Sequence, residues 1–170
     1  MPELFDTEAV ILGKLLLATV LGLLIGTERA LMARQAAGSR TFALVSLGSC
    51  LFIVAGLHID VRYLGIVNFD PARVLAAVVQ GIGFIGAGLI IFRGHALHGV
   101  TTAAGLWVAA AVGAMVGFGM YAIAIFAVLL ALTVLFGMWY VENRFKRILL
   151  DNHPEQPEEP YEHPLGGMRE

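Results

Sequence analysis

Residues 120–141 read MYAIAIFAVLLALTVLFGMWYV, a run of 22 residues without a charged side chain. A helix needs about 20 mostly apolar residues to cross the hydrocarbon core of a bilayer. The stretch before this run is almost as apolar. Between Pro71 and Val141 the sequence has no Asp or Glu, and its basic residues are Arg73 and Arg93. This half of the chain therefore predicts helices that span a membrane.

The composition of the whole chain indicates the same class. Of the 170 residues, 58% are hydrophobic and 14% are charged, whereas soluble domains carry about a quarter charged residues. A single cysteine excludes a secreted disulfide scaffold, and the apolar content excludes a disordered chain or an ordinary cytosolic enzyme. The net charge of −2 provides no basic face for phosphates, so no nucleic-acid partner is expected.

Five apolar stretches predict an all-α polytopic membrane protein with five transmembrane helices. Their approximate bounds are residues 9–27, 41–57, 72–92, 100–117 and 120–141. Cytoplasmic loops carry the excess of Lys and Arg. This rule places the N-terminus outside and the C-terminus in the cytoplasm. Residues 1–143 are expected to form the membrane domain, and residues 144–170 a basic anchor followed by a disordered, acidic and proline-rich tail.

The third predicted helix contains the sequence GIGFIG at residues 81–86, which matches the glycine spacing of a dinucleotide-binding loop. Such a loop requires a preceding strand and an acidic residue about 20 positions later, and the next acidic residue is Glu142. We therefore interpret these glycines as sites where helices pack closely or where the helix bends. The predicted packing residues of this helix are Gly81, Gly83, Gly86 and Gly88.

The fourth predicted helix carries small residues at every fourth position. Thr101, Gly105, Ala109, Gly113 and Gly117 form one stripe, and such stripes let helices approach each other in lipid. Two interpretations remain open at this point: packing inside a five-helix bundle, and contact between two chains of a homodimer.

Polar residues cluster near the predicted helix ends. Asp70 and Pro71 are typical of a helix start, while Arg73 and Gln80 would be costly against lipid and are expected to face the bundle interior or a partner. The cap alone, or a cap together with a functional polar face, accounts for this segment. Asp70 is the expected ion-pair partner of Arg73. In the first loop, either the basic residues anchor the chain at the interface with Glu28 as one compensating charge, or Glu28 pairs with Arg40 or Arg93.

The sequence contains no set of residues typical of a catalytic or metal site. No Ser-His-Asp set, carboxylate pair or zinc-binding motif occurs in the spans, so neither an enzyme nor a metal or other cofactor is expected. Lys14, inside the first span, is expected to extend toward the interface. The lipid bilayer is the first predicted partner.

Three segments in order resemble the MgtC/SapB family of bacterial membrane proteins. They are GLLIGTERALMARQAAGSRTFALVSLGSCLF (residues 22–52), DPARVLAAVVQGIGFIGAGLI (residues 70–90) and HGVTTAAGLWVAAAVG (residues 98–113). The polar positions that correspond to the family pattern are Glu28, Arg29, Arg40, Thr41, Asp70, Arg73, Gln80, Thr101 and Thr102. Two positions depart from it, because Ser39 and Gly105 stand where Leu and Thr are expected.

The resemblance implies a protein of the bacterial inner membrane that is linked to magnesium limitation and acid tolerance. It further implies regulation of another membrane complex, with the F-type ATP synthase as the expected partner. Longer family members continue into an ACT-like cytoplasmic domain, whereas this sequence continues into a short acidic tail. The alternative is a transporter or channel subunit in which Glu28, Asp70, Arg73 and Gln80 line a path.

Overall fold

The computed structural model describes residues 8–33, 37–62, 70–93 and 96–151. Within these ranges it has five helices: α1 (Glu8–Ala33), α2 (Ser39–Arg62), α3 (Pro71–Leu89), α4 (Val100–Gly117) and α5 (Tyr121–Asp151). Each of the five is long and apolar enough to cross a membrane. The predicted all-α fold with five transmembrane helices is confirmed, while the orientation of the termini stays a prediction.

The helix bounds differ from the predicted ones at several ends. Helix α1 continues to Ala33, and α5 continues to Asp151, ten residues past the predicted end at Val141. No proline or glycine interrupts residues 142–151, so the helix extends beyond its apolar part. The basic segment that begins at residue 144 is thus helical as far as Asp151. The predicted disordered tail, residues 152–170, lies outside the described residues.

A short hairpin that the sequence did not predict joins α3 to α4. Helix α3 ends at Leu89 rather than at residue 92, and β1 (Ile91–Arg93) pairs antiparallel with β2 (Ala96–His98). Gly99 follows with φ of 92°. A Cβ atom at this position would collide with the carbonyl oxygen of Leu89, so this return of the chain requires glycine.

Helix α3 begins as its sequence predicts. The backbone N–H of Ala72 donates to Oδ1 of Asp70 at 2.9 Å, and Pro71 occupies the first helical position.

Helix α4 ends in a turn into α5 that passes through Gly119, with φ of 80°. There the N–H of Gly119 donates to the carbonyl of Val116, and that of Met120 donates to Met115. These bonds satisfy the last carbonyls of α4.

Contacts within the chain divide it into two units, residues 1–137 and 138–170. The first unit contains α1 to α4, the hairpin, and α5 as far as Gly137. In this unit α1, α2 and α4 pack against one another, and α3 packs mainly on α4. Over 18 residues of its span, 56% of α4 is buried inside the protein. The corresponding share is 11% in α3 and 11% in α5. Helix α4 is therefore the centre of the core.

The second unit, by itself, contains the C-terminal part of α5 from Met138 to Asp151. Its described aromatic side chains, including Trp139 and Tyr140, are exposed. This composition is typical of the region where a membrane helix reaches the interface.

Candidate functional site

Helices α2 and α4 approach each other closely along the small residues of α4. A Cβ atom added to Gly113 would collide with the carbonyl oxygen of Ser46, and one added to Gly117 would lie 2.8 Å from Cβ of Ile53. At Gly105 it would lie 3.2 Å from the ring of Phe42. These three glycines and Ala109 are buried, whereas Thr101 is exposed. The stripe of α4 therefore faces the interior of its own bundle.

Sequence reasoning missed two glycines of α1 that are equally close to a neighbour. An added Cβ would lie 2.6 Å from the carbonyl oxygen of Phe42 at Gly22, and 2.7 Å from Cα of Ser39 at Gly26. The available signal was their spacing, because two small residues four positions apart in an apolar helix indicate a packing face. We call the packed set α1, α2 and α4 the closed bundle.

Ser46 and Lys14 are polar residues buried inside the closed bundle. The hydroxyl of Ser46 donates to the carbonyl of Ala18 at 2.7 Å and links α2 to α1. Lys14 is 7% exposed and makes an interaction within the protein, so it does not extend toward the interface as predicted. The reason is position, since Lys14 lies on the same side of α1 as the buried Ala18 and Leu21.

Glu28 pairs with its neighbour Arg29, and the predicted pair with Arg40 does not form, whereas the predicted pair with Arg93 involves a side chain outside the described residues. Nε of Arg29 donates to Oε2 of Glu28 at 2.5 Å, and Nη2 donates to Oε1 at 2.8 Å. Both side chains are buried. Arg40 is exposed, and the side chain of Arg93 lies outside the described residues. A buried pair bound at two points compensates both charges locally.

Other motif residues near the helix ends lie in different environments. Thr102 is buried and has an interaction partner, while Thr101 is exposed. Thr41 is half-buried on α2. The structure thus brings Glu28 and Arg29 together but does not gather the motif residues into one polar site.

Helix α3 contributes the exposed polar residues. Asp70, Arg73 and Gln80 are all exposed, so Arg73 and Gln80 do not face the interior of the bundle within this chain. The carboxylate of Asp70 accepts from the backbone of Ala72. The predicted Asp70–Arg73 ion pair does not form among the described residues.

The glycines of α3 contrast with those of α4. Gly86 faces α4, where an added Cβ would lie 3.6 Å from Cβ of Ala103. No heavy atom lies within 4 Å of an added Cβ at Gly81, Gly83 or Gly88. The close packing predicted for these three is therefore not found within the described part of the chain. At 100° per residue, Gly81 and Gly83 point to opposite sides of the helix and cannot both meet one neighbour.

Two surfaces of α3 remain uncovered. The first, which we call the free face, consists of Gln80, Gly83, Phe84 and Ala87, all exposed, with Phe84 at 84%. The second borders a cavity of about 890 Å³ between α2 and α3. Its walls are one side of α2 from Thr41 to Ile59 and one side of α3 from Arg73 to Ile85. We call this cavity the α2–α3 groove.

Within the described residues, no group of three or more His, Cys, Asp or Glu side chains converges on a point where a metal ion would bind. The described helices instead form a closed bundle together with two helices, α3 and α5, whose surfaces are largely uncovered.

Comparison with known proteins identifies the family. The family model described as the MgtC family matches residues 15–144, which include most of α1 and all of α2, α3 and α4. The chain belongs to the MgtC family. The resemblance of its three ordered segments is thereby confirmed, and the chain is a multi-pass membrane protein.

Several curated relatives are similar to this chain. YhiD of Escherichia coli K12, named as a candidate magnesium transporter, is 44% identical over 124 residues, which are 72% of this chain and 57% of that protein. Protein MgtC of Salmonella typhimurium LT2 is 40% identical over 118 residues, 69% of this chain and 48% of that protein. An uncharacterized protein of Haemophilus influenzae is 36% identical over 127 residues, 72% of this chain and 53% of that protein.

The chain spans about half the length of the curated relatives it matches. No solved structure matches it significantly.

Proposed function

We propose that this protein is an interaction protein of the bacterial inner membrane that regulates another membrane complex in magnesium homeostasis and acid tolerance. The observation that carries the proposal is the contrast between the closed bundle and the free face of α3. A protein that acts by binding needs an uncovered surface more than a path through its interior.

The closed bundle is poorly suited to conduct a cation. Selective cation sites use carboxylates or rings of backbone carbonyls. Among the described residues Glu28 is the buried acidic side chain, and both of its oxygens accept hydrogen bonds from Arg29. Backbone contact at Gly113 and Gly22 leaves no room between the helices there.

The free face of α3 has the chemistry of a helix-association surface. Gly83 and Ala87 let a second helix approach its backbone, and Phe84 offers a large apolar side chain. Gln80 is exposed inside the span, where an amide toward lipid is unfavourable and a partner's hydrogen bond relieves that cost. A transmembrane helix of another protein fits these properties.

The family resemblance makes the membrane part of the F-type ATP synthase the first partner to test. A photo-crosslinking residue replaces Phe84 in living cells, and the same residue replaces Leu12 as a control. Leu12 is also exposed, at 66%, but lies on α1. Binding through the free face predicts a crosslink to a membrane subunit of the synthase from position 84 and none from position 12.

Two results of this experiment contradict the proposal. Crosslinking of position 84 to lipid alone would mean that the free face faces the bilayer. A product containing two copies of this chain would instead make the free face a homodimer contact. Growth of a strain lacking the protein, at low magnesium and at low pH, measures whether the wild-type chain takes part in both responses.

Transport is the second candidate function, and the name of the relative YhiD favours it. The decisive assay is magnesium flux into liposomes that contain only the purified protein. Interaction without transport predicts a flux equal to that of empty liposomes. A magnesium flux that saturates with concentration would replace the interaction proposal by transport.

A further inference from the structure

We propose that the α2–α3 groove binds one acyl chain of an anionic phospholipid whose phosphate is held by Arg73. This inference concerns a different surface from the free face and does not depend on the identity of a protein partner. The groove exists because α3 packs on α4 and makes much less contact with α2. Its volume of about 890 Å³ lies within the range of ligand sites.

The walls of the α2–α3 groove match an acyl chain in chemistry. They are formed almost entirely by aliphatic side chains and glycine, with Phe52 as the aromatic residue. Leu44, Phe52 and Ile59 are more than half exposed along it, so the groove is open at its side and a lipid chain can enter from the bilayer. Glycines at positions 48 and 81 widen it, because no heavy atom lies within 4 Å of an added Cβ at either one.

The length of the α3 wall matches one leaflet. From Arg73 to Ile85 the helix rises by roughly 18 Å at 1.5 Å per residue. One leaflet contributes about half of a hydrocarbon core that is about 30 Å thick. An acyl chain that begins beside Arg73, near the start of α3, therefore ends near Ile85.

Arg73 supplies the recognition of the headgroup. It is the charged side chain of the groove wall and is exposed. Its guanidinium forms no hydrogen bond or ion pair with any residue in the described ranges. A guanidinium binds a phosphate through two parallel hydrogen bonds. A phosphate partner also removes the cost of an uncompensated arginine near hydrocarbon.

The charge distribution selects an anionic lipid rather than a zwitterionic one. None of the described side chains that line the groove is acidic, so no described carboxylate there would pair with the ammonium group of a zwitterionic headgroup. The nearby carboxylate of Asp70 does not line the groove and already accepts a hydrogen bond from the backbone of Ala72.

Native mass spectrometry of the purified full chain tests the proposal by counting the lipids it retains. The chain is exchanged into detergent with phosphatidylglycerol or with phosphatidylcholine of identical acyl chains. We expect one tightly retained phosphatidylglycerol per chain and about tenfold weaker retention of phosphatidylcholine. Loss of the charge-assisted hydrogen bonds in Arg73→Gln should lower phosphatidylglycerol retention about tenfold.

A second variant blocks the acyl chain without changing the charge. Ala77→Leu adds bulk to the groove wall and should lower the retention of both lipids. Ala122→Leu, an exposed alanine of α5, and Arg144→Gln, an exposed arginine of α5, are the matched controls. Both controls should retain phosphatidylglycerol as the wild type does.

Equal retention of the two lipids by the wild type would overturn the proposal without recourse to any variant. Retention that is unchanged in both Arg73→Gln and Ala77→Leu would also overturn it, as would an equal loss in the controls. A dimer mass that Ala77→Leu abolishes, with lipid retention unchanged, would show that a second copy of the chain occupies the groove.

Discussion

Helices α3 and α4 are both rich in glycine, yet the structure uses them in opposite ways. The glycines of α4 at positions 105, 113 and 117 are buried against α2, whereas an added Cβ meets nothing at Gly81, Gly83 and Gly88 of α3. The difference follows from spacing. A step of four residues turns a side chain by about 40°, while the step of two from Gly81 to Gly83 turns it by about 160°. Glycine content alone therefore does not tell which helix is central.

The closed bundle and α3 should accordingly respond differently to substitution. Within the closed bundle a side chain has to displace a neighbouring backbone, which is costly. On α3 most side chains have space, so substitutions there should affect binding more than folding.

The largest effect is expected for Gly113→Leu in α4. A leucine at this position has to displace the backbone of Ser46, and we expect that no folded protein accumulates in the membrane. Gly83→Leu is the matched control and should accumulate at the wild-type level. Both variants are compared by their abundance in the membrane and their monodispersity in detergent. Normal recovery of Gly113→Leu would contradict the close packing of α4 against α2.

The buried pair of α1 should give the next largest effect. Glu28→Ala leaves the Arg29 guanidinium buried without its partner and should lower the free energy of unfolding by about 3 kcal/mol. Arg40→Ala, which removes an exposed arginine, should lower it by less than about 0.5 kcal/mol. Denaturation in mixed micelles compares the two, and equal effects would contradict the role of the Glu28–Arg29 pair.

Gly86 is the position where α3 resembles α4. Because an added Cβ would lie 3.6 Å from that of Ala103, Gly86→Leu should overpack the α3–α4 contact and cost about 2 kcal/mol. Gly83→Leu, on the free face, should cost less than about 0.5 kcal/mol. Thermal unfolding in detergent distinguishes the two, and an equal loss at both positions would mean that α3 packs on all sides.

The smallest effect is expected for Ser46→Ala. This change removes the hydroxyl that donates to the carbonyl of Ala18, and hydrogen bonds between membrane helices contribute about 0.6 kcal/mol on average. Thr133→Ala removes a hydrogen bond inside α5, to the carbonyl of Leu129, and serves as the control. A loss above about 2 kcal/mol for Ser46→Ala would indicate a larger polar network around Ser46.

The sequence predicted the five spans because a membrane imposes a requirement on length and apolarity that each stretch meets alone. It also predicted the start of α3, since Asp70 and Pro71 act on their own helix end. The α3–α4 hairpin was not predicted because residues 91–98 contain too few residues for a strand pattern, and only their pairing with each other defines them.

The partners of charged residues were the least predictable part of the candidate site. Glu28 was expected to reach another loop, but its orientation toward the interior brings it to Arg29. Arg73 was expected to pair with Asp70, whose carboxylate instead accepts from the backbone at the helix start. In both cases the choice depends on which side of the helix a neighbour covers, and sequence spacing does not contain that information.

The function proposed for the free face depends on its side chains being dispensable for folding and required for activity. Gly83→Leu measures this most directly when membrane abundance and rescue of growth at low magnesium are determined in the same cells. We predict wild-type abundance together with loss of rescue, because leucine at position 83 keeps a partner helix away from the α3 backbone. Full rescue at wild-type abundance would contradict a binding role of the free face. Loss of the protein from the membrane would contradict the finding that the free face is uncovered within the chain.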